Sequence, residues 1–143
     1  MAPKIINVCA GIISEDNRVL ICQRREPHHN GAWEFPGGKI EFNESKQEAL
    51  KRELNEELSI HCEIGQHFHS VFYKLNINTQ LNLHAYLIHN FTGKPKCLVH
   101  SQILWVAIEE LAYYNFLPAD LPLVENLLNR HKKKEPVKTG SKR

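Results

Sequence analysis

Three glutamates can share one stripe of a single helix. When residues 46–58 are placed on a helical wheel, Glu53, Glu56 and Glu57 span an arc of about 100°. Carboxylates three and four residues apart repel one another, which destabilises a helix by a few tenths of a kcal/mol per pair. A hard cation that prefers oxygen ligands, such as Mg²⁺, offsets that repulsion. The spacing therefore predicts a divalent-cation site on this helix.

The alternative for these carboxylates is an ordinary solvated face paired with lysines. Of the two lysines in residues 46–58, only Lys46 falls near the stripe, which weakens that alternative. Gly37 and Gly38 stand before the helix and allow a tight backbone passage. A free carbonyl there could complete a metal shell, and bare N–H groups could approach phosphate. The two glycines therefore favour the cation site.

Local sequence predicts the elements that hold these residues. Ser45 and Glu48 form a capping box before residues 46–58, which contain no Gly or Pro, so a helix is predicted there with leucines 50, 54 and 58 on its buried face. Strands are predicted at residues 5–13, 18–22, 61–71, 81–90 and 103–107, the first two as a hairpin, and further helices at 108–111 and 121–129. This order predicts an α+β fold, a mixed sheet with helices on its faces.

The segment 26–38 contains several Pro, Gly and Asn residues, which are too many for a helix. We expect a structured loop there. Loops held by a rigid scaffold are common locations for binding and catalytic residues.

Composition indicates one domain with a basic end. The 143 residues fit a single domain, assigned to residues 1–130. Residues 130–143 contribute +6 to the overall net charge of +2, so residues 1–129 carry −4. Residues 131–143 are expected to be a disordered basic tail without an assigned function.

Cysteine usage and hydropathy indicate a cytoplasmic protein. No apolar run is long enough to span a membrane, and no leader pattern precedes the first strand. The cysteines form no C-x-x-C pair and are expected to be reduced thiols in the core: Cys9, Cys22, Cys62 and Cys97.

A known family pattern covers the helix and the segment before it. The chain resembles the Nudix box, G-x5-E-x7-R-E-U-x-E-E-x-G-U with U an apolar residue, through this run: Gly38, five residues, Glu44, seven residues, Arg52-Glu53-Leu54, one residue, Glu56-Glu57, one residue, Ser59-Ile60. Only the late glycine differs, being Ser59. The segments 33–41 and 118–122 are similar to MutT proteins and their cytidine-nucleotide-cleaving relatives. The resemblance implies an α/β/α sandwich around a mixed sheet.

The resemblance also implies a catalytic centre. The residues that match the metal-ligand positions are Gly37, through its carbonyl, Glu53, Glu56 and Glu57. Arg52 matches the residue that orients the glutamates, and Glu44 the residue that supports the loop or binds a further cation. The implied reaction is attack of a water, activated by Mg²⁺ or by Mn²⁺ in its place, on the β-phosphorus of a nucleoside triphosphate. Glu53 is the expected catalytic carboxylate.

Substrate contacts are implied outside the catalytic glutamates. Arg24, at the end of the second strand, matches a position that reaches phosphate, with a surface arginine as the alternative. The other expected substrate contacts are His28, Glu34, Phe35, Gly38, Lys39 and Asp120. Asp120 and the loop with His28 and Glu34 are the candidates for base recognition. Phe72 and Tyr73 are either stacking partners of the base or core residues.

One position departs from the subfamily in a way that bears on catalysis. Val99 stands where a glutamate commonly helps to bind metal or acts as a base. An apolar side chain can do neither, which puts the turnover rate in doubt more than the reaction type. Glu57 or His100 could replace it, although a histidine in a loop is more commonly a solvated surface residue.

Three functions remain open at this point. The leading hypothesis is an enzyme that hydrolyses oxidised (d)NTPs such as 8-oxo-dGTP to a monophosphate and pyrophosphate. The second is a CTP or modified-pyrimidine triphosphate pyrophosphohydrolase, because the guanine-specific MutT pattern has Asn where this chain has Asp120. The third is a degenerate domain that binds nucleotide without hydrolysis, for which Val99 and Ser59 are the evidence. We expect no stable nucleic-acid or membrane partner, and a monomer is favoured.

Overall fold

The computed structural model describes residues 2–25 and 31–134. Its strands are β1 (Lys4–Glu15), β2 (Arg18–Gln23), β3 (Trp33–Glu34), β4 (Gly37–Lys39), β5 (His61–Glu63), β6 (His67–Asn76), β7 (Thr79–Ile88), β8 (Asn90–Thr92) and β9 (Gln102–Ala107). Its helices are α1 (Lys46–Leu58) and α2 (Leu121–Lys134), with 3₁₀ helices at Ile108–Tyr113 and Pro118–Asp120.

Strand β1 lies at the centre of the main sheet because it pairs along both edges. On one edge it runs parallel to β7, from Lys4 opposite Thr79 to Ile13 opposite Ile88. On the other edge it runs antiparallel to β4 and, at its end, to β2. β2 also pairs with β3 and β9, and β6 pairs with β7. The sheet is therefore mixed, as predicted.

The two helices cover opposite faces of this sheet. Leu50, Leu54 and Leu58 of α1 are fully buried in one apolar cluster, whereas Leu123 and Leu127 of α2 belong to the other. Strand β1 contributes alternate residues to the two clusters, which is why its stretch from Cys9 to Ile13 is buried without a break. The predicted α/β/α sandwich is confirmed.

Helix α1 has the predicted bounds and the predicted cap. The Ser45 side chain accepts from the Glu48 N–H at 3.0 Å, and the Glu48 side chain accepts from the Ser45 N–H at 2.8 Å. These bonds satisfy two of the N–H groups that a helix start leaves unpaired. The helix ends at Ser59, which adopts the left-handed conformation with φ 58° and ψ 39°. This is the position at which the Nudix box has its late glycine.

Two predicted strands are interrupted in the structure. The segment 61–71 is divided between β5 and β6 because Gly65, between them, donates its N–H to the Leu87 carbonyl at 2.9 Å. A Cβ at this glycine would lie 2.5 Å from the same oxygen, so the close approach requires glycine. The segment 81–90 is divided likewise, because β8 leaves the main sheet and pairs with β5. The loop expected before α1 contains two short strands, β3 and β4.

The C-terminal helix is longer than predicted. It continues to Lys134 rather than ending at residue 129, so the predicted disorder is wrong for residues 131–134. The Arg130 guanidinium lies 4.4 Å from the centre of the Phe68 ring, and His131 Nε2 lies 3.4 Å from Glu109 Oε1. These contacts hold the last turn. Residues 135–143, the rest of the predicted tail, lie outside the described residues.

Two further expectations concern the state of the cysteines and the possibility of a membrane-spanning helix. Cys9, Cys22 and Cys62 are buried free thiols, as predicted, whereas Cys97 is exposed. Neither of the two α-helices described in residues 2–25 and 31–134 has the length and apolar character needed to cross a membrane.

The left-handed conformation of Ser59 predicts a stabilising substitution. A side chain in this conformation is strained, whereas glycine adopts it freely, so Ser59→Gly should raise the free energy of unfolding by roughly 1 kcal/mol. Urea denaturation measures the effect. The control is Asn43→Gly at φ 66°, where the gain should be smaller because asparagine tolerates this conformation. A less stable Ser59→Gly protein would contradict the prediction.

Candidate functional site

Arg52, in the middle of α1, is the centre of an ion-pair network. Its guanidinium binds Glu44 through two bonds, Nε to Oε2 at 2.6 Å and Nη2 to Oε1 at 2.9 Å. It also donates to Glu53 at 3.1 Å, to Glu56 at 3.4 Å and to the Lys39 carbonyl at 3.1 Å. A planar group with several donors is suited to such a junction. Arg52 thus joins the loop before α1 to the glutamates on it.

The network lowers the pKa of Glu44. Two hydrogen bonds, one from the Arg52 side chain and one from the Glu41 N–H, hold that pKa at about 2. Glu44 therefore stays ionised over the whole physiological range, and with Arg52 it fixes the loop.

The two glycines before α1 are required by close packing. A Cβ at Gly37 would collide with the Cys9 carbonyl oxygen, and a Cβ at Gly38 would collide with the Glu53 carboxylate. The backbone of β4 consequently lies against both the central strand and the carboxylate that we expect to be catalytic. Gly37 also donates its N–H to Glu57.

Glu57 is a buried carboxylate in contact with a second carboxylate. Burial raises its pKa to about 9, and a hydrogen bond with Glu53 and the charges of Glu53 and Glu34 act in the same direction. The Gly37 N–H partly opposes this rise. One oxygen, Oε1, is buried without a hydrogen-bond partner among the described residues. A pair of touching carboxylates with an unpaired buried oxygen is the donor set that a divalent cation stabilises.

The structure brings together only part of the predicted ligand set. Gly37, Glu53 and Glu57 are adjacent, whereas Glu56 pairs with Arg52 and is 57% exposed. Within residues 2–25 and 31–134, no group of three His, Cys, Asp or Glu side chains is arranged so that it could hold a metal ion. Glu56 is the residue that does not join the group.

A cavity of about 430 Å³ opens beside Glu57. This volume is within the usual range for small-molecule sites. Six of the predicted substrate contacts line it: Arg24, Glu34, Phe35, Gly38, Lys39 and Asp120. His28 lies outside the described residues. The cavity and the carboxylates form one continuous site, because Glu57 belongs to both.

Arg24, Glu34 and His100 form a hydrogen-bonded row in the cavity wall. Arg24 Nη1 donates to Glu34 Oε1 at 3.1 Å, and His100 Nε2 lies 2.9 Å from Glu34 Oε2. Both carboxylate oxygens of Glu34 are therefore engaged by protein groups. The His100 side chain is only 5% exposed, so its interpretation as a solvated surface residue is wrong. Its burial follows from the bond to Glu34.

Asp120 is buried at the end of the second 3₁₀ helix, and its Oδ2 accepts from the Phe35 N–H at 2.9 Å. Burial raises the pKa of its carboxyl to about 7. The Phe35 N–H lowers that pKa, the charge of Glu34 raises it and the charge of Arg24 lowers it. The Phe35 ring stacks on Phe116 with centroids 5.3 Å apart, so the ring belongs to the core.

The candidate stacking residues do not line this cavity. Tyr73 packs with the α2-side cluster, as the core alternative predicts. Phe72 lies on the opposite face of β6, where its ring contacts His84 edge-on. Val99, which replaces the usual glutamate, is half exposed at the cavity rim.

Sequence interpretation missed the apolar wall of the cavity, formed by Val8, Ala10, Leu81 and Leu83. The alternation of residues does indicate that Val8 and Ala10 share one face of β1 and that Leu81 and Leu83 share one face of β7. No local sequence pattern indicates the parallel pairing of β1 with β7, which places these two faces side by side. Arg25 was also missed, although it donates to the His100 carbonyl at 3.3 Å.

Comparison with known proteins agrees with the fold and with the family resemblance. The NUDIX domain family model matches residues 3–132. The chain is 38% identical over 124 residues to the CTP pyrophosphohydrolase of Escherichia coli K12, covering 85% of this chain and 90% of that protein. It is 35% identical over 134 residues to the 8-oxo-dGTP diphosphatase of Haemophilus influenzae, covering 90% and 96%. The solution structure of the E. coli ORF135 protein matches with a TM-score of 0.84 at 34% identity, covering 92% and 94%.

The chain belongs to the Nudix hydrolase family. Within the family it is a MutT-type hydrolase, so the prediction of an enzyme is confirmed. Nudix hydrolases generally use a divalent metal, and the Glu53–Glu57 pair with its unpaired oxygen fits that requirement.

The raised pKa of Asp120 predicts a specific dependence of stability on pH. Folded Asp120 has a pKa of about 7, against an ordinary value of 3.8 for an aspartic acid. Its contribution to stability is therefore fully present below about pH 4 and is lost as the pH rises through 7. Asp120→Asn removes this titration, so the stability of the variant relative to the parent should improve by roughly 2–3 kcal/mol between pH 5 and pH 9.

Urea denaturation at several pH values measures this difference, and other titrating groups cancel between the two proteins. The exposed Glu63→Gln substitution is the control and should show no such trend. A parallel pH profile for Asp120→Asn and the parent would show that the carboxyl of Asp120 titrates normally.

Proposed function

We propose that the protein is a Mg²⁺-dependent nucleoside triphosphate pyrophosphohydrolase that hydrolyses oxidised (d)NTPs, with 8-oxo-dGTP as the leading substrate. The observation that supports this function is the position of Glu57, which contacts Glu53 and also lines the cavity that contains Asp120. A nucleotide with its base near Asp120 can therefore extend its phosphates to the carboxylates. Attack of water on the β-phosphorus breaks its bond to the α–β bridging oxygen and releases a monophosphate and pyrophosphate.

The carboxylates of Glu53 and Glu57 and the Gly37 carbonyl would hold Mg²⁺, with Mn²⁺ as a substitute, and Glu56 is the further ligand that we propose from the Nudix box. When bound, the ion lowers the pKa of a water and neutralises charge on the phosphates. The absence of Glu56 from the present group is explained by its pairing with Arg52.

The other residues of the box position the reacting groups. Arg52 holds the Glu53 carboxylate at 3.1 Å while its bonds to Glu44 fix its own plane. Glu53 is the catalytic carboxylate that orients the attacking water. Arg24 and Lys39 line the cavity and supply positive charge to the phosphates. Gly38 lines the same cavity and is a further proposed phosphate contact, because a glycine lets the ligand approach the backbone closely.

Asp120 is the proposed contact to the base. One of its oxygens is engaged by the Phe35 N–H, which leaves the other to face a ligand. With a pKa of about 7, the carboxyl can accept a hydrogen bond when ionised and donate one when protonated. Glu34, the other acidic candidate, has both oxygens engaged and acts through Arg24 and His100 instead.

CTP or a modified pyrimidine triphosphate is the second candidate substrate. Asp120 supports it, because the guanine-specific MutT pattern has Asn at this position. The relative with 38% identity is named CTP pyrophosphohydrolase. We propose for either substrate that the protein is a cytoplasmic monomer acting on free nucleotides, without stable nucleic-acid or membrane partners. The free, buried thiols of Cys9, Cys22 and Cys62 fit a reducing compartment.

Replacement of Glu53 by Gln tests the catalytic assignment. A carboxylate that positions the attacking water acts mainly in the transition state, so kcat should fall on the order of 10³-fold with a much smaller change in KM. Steady-state kinetics with Mg²⁺ and pyrophosphate detection measure the effect. Glu63→Gln is the control, because Glu63 is exposed on β5. Activity within tenfold of the parent would remove Glu53 from the mechanism.

Substitution of Asp120 tests base recognition and separates the two substrates. Asp120→Ala should lower kcat/KM for the preferred nucleotide by about ten- to a hundredfold and affect poor substrates much less. Asp120→Asn should shift preference toward 8-oxo-dGTP, since the amide adds a donor. The measurement is a panel of 8-oxo-dGTP, dGTP, CTP and dCTP. If both variants slow every nucleotide by one common factor, Asp120 supports the fold and the base is recognised elsewhere.

A further inference from the structure

One ring nitrogen of a buried histidine in the cavity wall has no protein partner. The His100 side chain is 5% exposed and lines the cavity. Its Nδ1 is buried and makes no hydrogen bond within the described part of the chain. Buried polar atoms are nearly always paired, so an exception beside a cavity is a candidate contact for a ligand.

The partner of the other ring nitrogen determines the chemistry of Nδ1. A carboxylate oxygen of Glu34 lies 2.9 Å from His100 Nε2, and an ionised carboxylate only accepts, so Nε2 carries the proton. The charge of Glu34 is already matched by Arg24 at its other oxygen. A proton on Nδ1 would leave a second buried N–H without an acceptor in the described part of the chain. Nδ1 therefore carries no proton and is a hydrogen-bond acceptor.

The position of this acceptor is fixed from two sides. The His100 carbonyl accepts from Arg25 Nη2 at 3.3 Å and from Cys97 Sγ at 3.1 Å, which holds the backbone. Glu34, on β3, holds the ring. An acceptor held in this way can discriminate between ligands without having to be ordered on binding.

We propose that His100 Nδ1 is a specificity-determining acceptor that takes an N–H from the edge of the bound base. It favours bases that present an amino group there, such as cytosine and guanine, over bases that lack it, such as uracil and hypoxanthine. Asp120, in the same cavity wall, supplies a second contact whose character depends on its protonation. The proposal rests on the proposed function only in placing a base in this cavity.

The substitution His100→Gln separates recognition of the base from support of Glu34. A glutamine amide can replace Nε2 as the donor to Glu34, but it offers no acceptor at the position of Nδ1. His61→Gln is the matched control, because His61 is exposed on β5 and lies outside the cavity. Calorimetry without metal gives the Kd of CMP against UMP and of GMP against IMP for each protein. Thermal melting confirms that both variants are folded.

The parent protein should bind one of the two pairs, pyrimidine or purine, more tightly than the other. Within that pair we expect it to prefer the nucleotide with the amino group, which is CMP over UMP or GMP over IMP. His100→Gln should reduce that preference about tenfold, mainly by weakening the amino-bearing nucleotide, and His61→Gln should leave it unchanged. An equal loss for both members of the pair would show that His100 only supports Arg24 and Glu34, and it would overturn the proposal. An unchanged preference, or no binding of any of the four nucleotides to the parent, would overturn it as well.

A spectroscopic measurement on the unmodified protein provides an independent test. In ¹⁵N NMR of the imidazole, Nε2 of His100 should be protonated and Nδ1 bare, and addition of the preferred monophosphate should shift Nδ1 selectively. A protonated Nδ1 in the free protein would overturn the proposal. Neither test involves turnover. If the protein fails to hydrolyse 8-oxo-dGTP and CTP, the proposed function is rejected, but the ratios of the Kd values within each nucleotide pair still decide the role of His100.

Discussion

The contact between two carboxyl groups at the edge of the core is the constraint to which the rest of the site is fitted. Glu53 and Glu57 touch each other, and the same helix turns carry the leucines that anchor α1 on the sheet. Both side chains lie on α1 one turn apart, so the helix itself keeps them close. The protein instead surrounds them with donors, Arg52 on one side and the Gly37 N–H on the other. A bound cation would complete the compensation, so folding alone leaves a site that favours metal.

Rigidity around this pair comes from contacts between segments that are distant in sequence. Gly38 allows β4 to lie against Glu53, and Gly37 allows the same strand to lie against β1. Arg52 then ties Glu44 and the Lys39 carbonyl to α1. The segment that carries Gly38 and Lys39 is thus fixed to both the sheet and the helix. Fixed donors require no reorganisation during the reaction, which is the main source of electrostatic catalysis.

The parts of the structure that were predictable are those with local causes. The bounds of α1 follow from its capping box, and its buried face follows from the leucine spacing. The interruption at Gly65 was not predictable, because it depends on the Leu87 carbonyl. The burial of His100 depends in the same way on Glu34, 66 positions away. The lysine-rich end of α2 resembles a disordered tail in composition, yet Arg130 and His131 contact residues far earlier in the chain. Long-range partners, rather than weak local patterns, account for each of these errors.

The same long-range contacts explain why the family resemblance leaves two substrates open. The box determines the chemistry through residues that lie within one helix and the loop before it. The proposed base site lies in a cavity wall assembled from β1, β3, β7, the loop with His100 and the second 3₁₀ helix. Asp120 alone does not separate guanine from cytosine, because a carboxyl with a pKa of about 7 can accept or donate. Discrimination must therefore come from groups of fixed character around it. A buried ring nitrogen without a proton, such as the one proposed for His100, is such a group, because it can only accept. It would restrict which edge of a base the wall can pair.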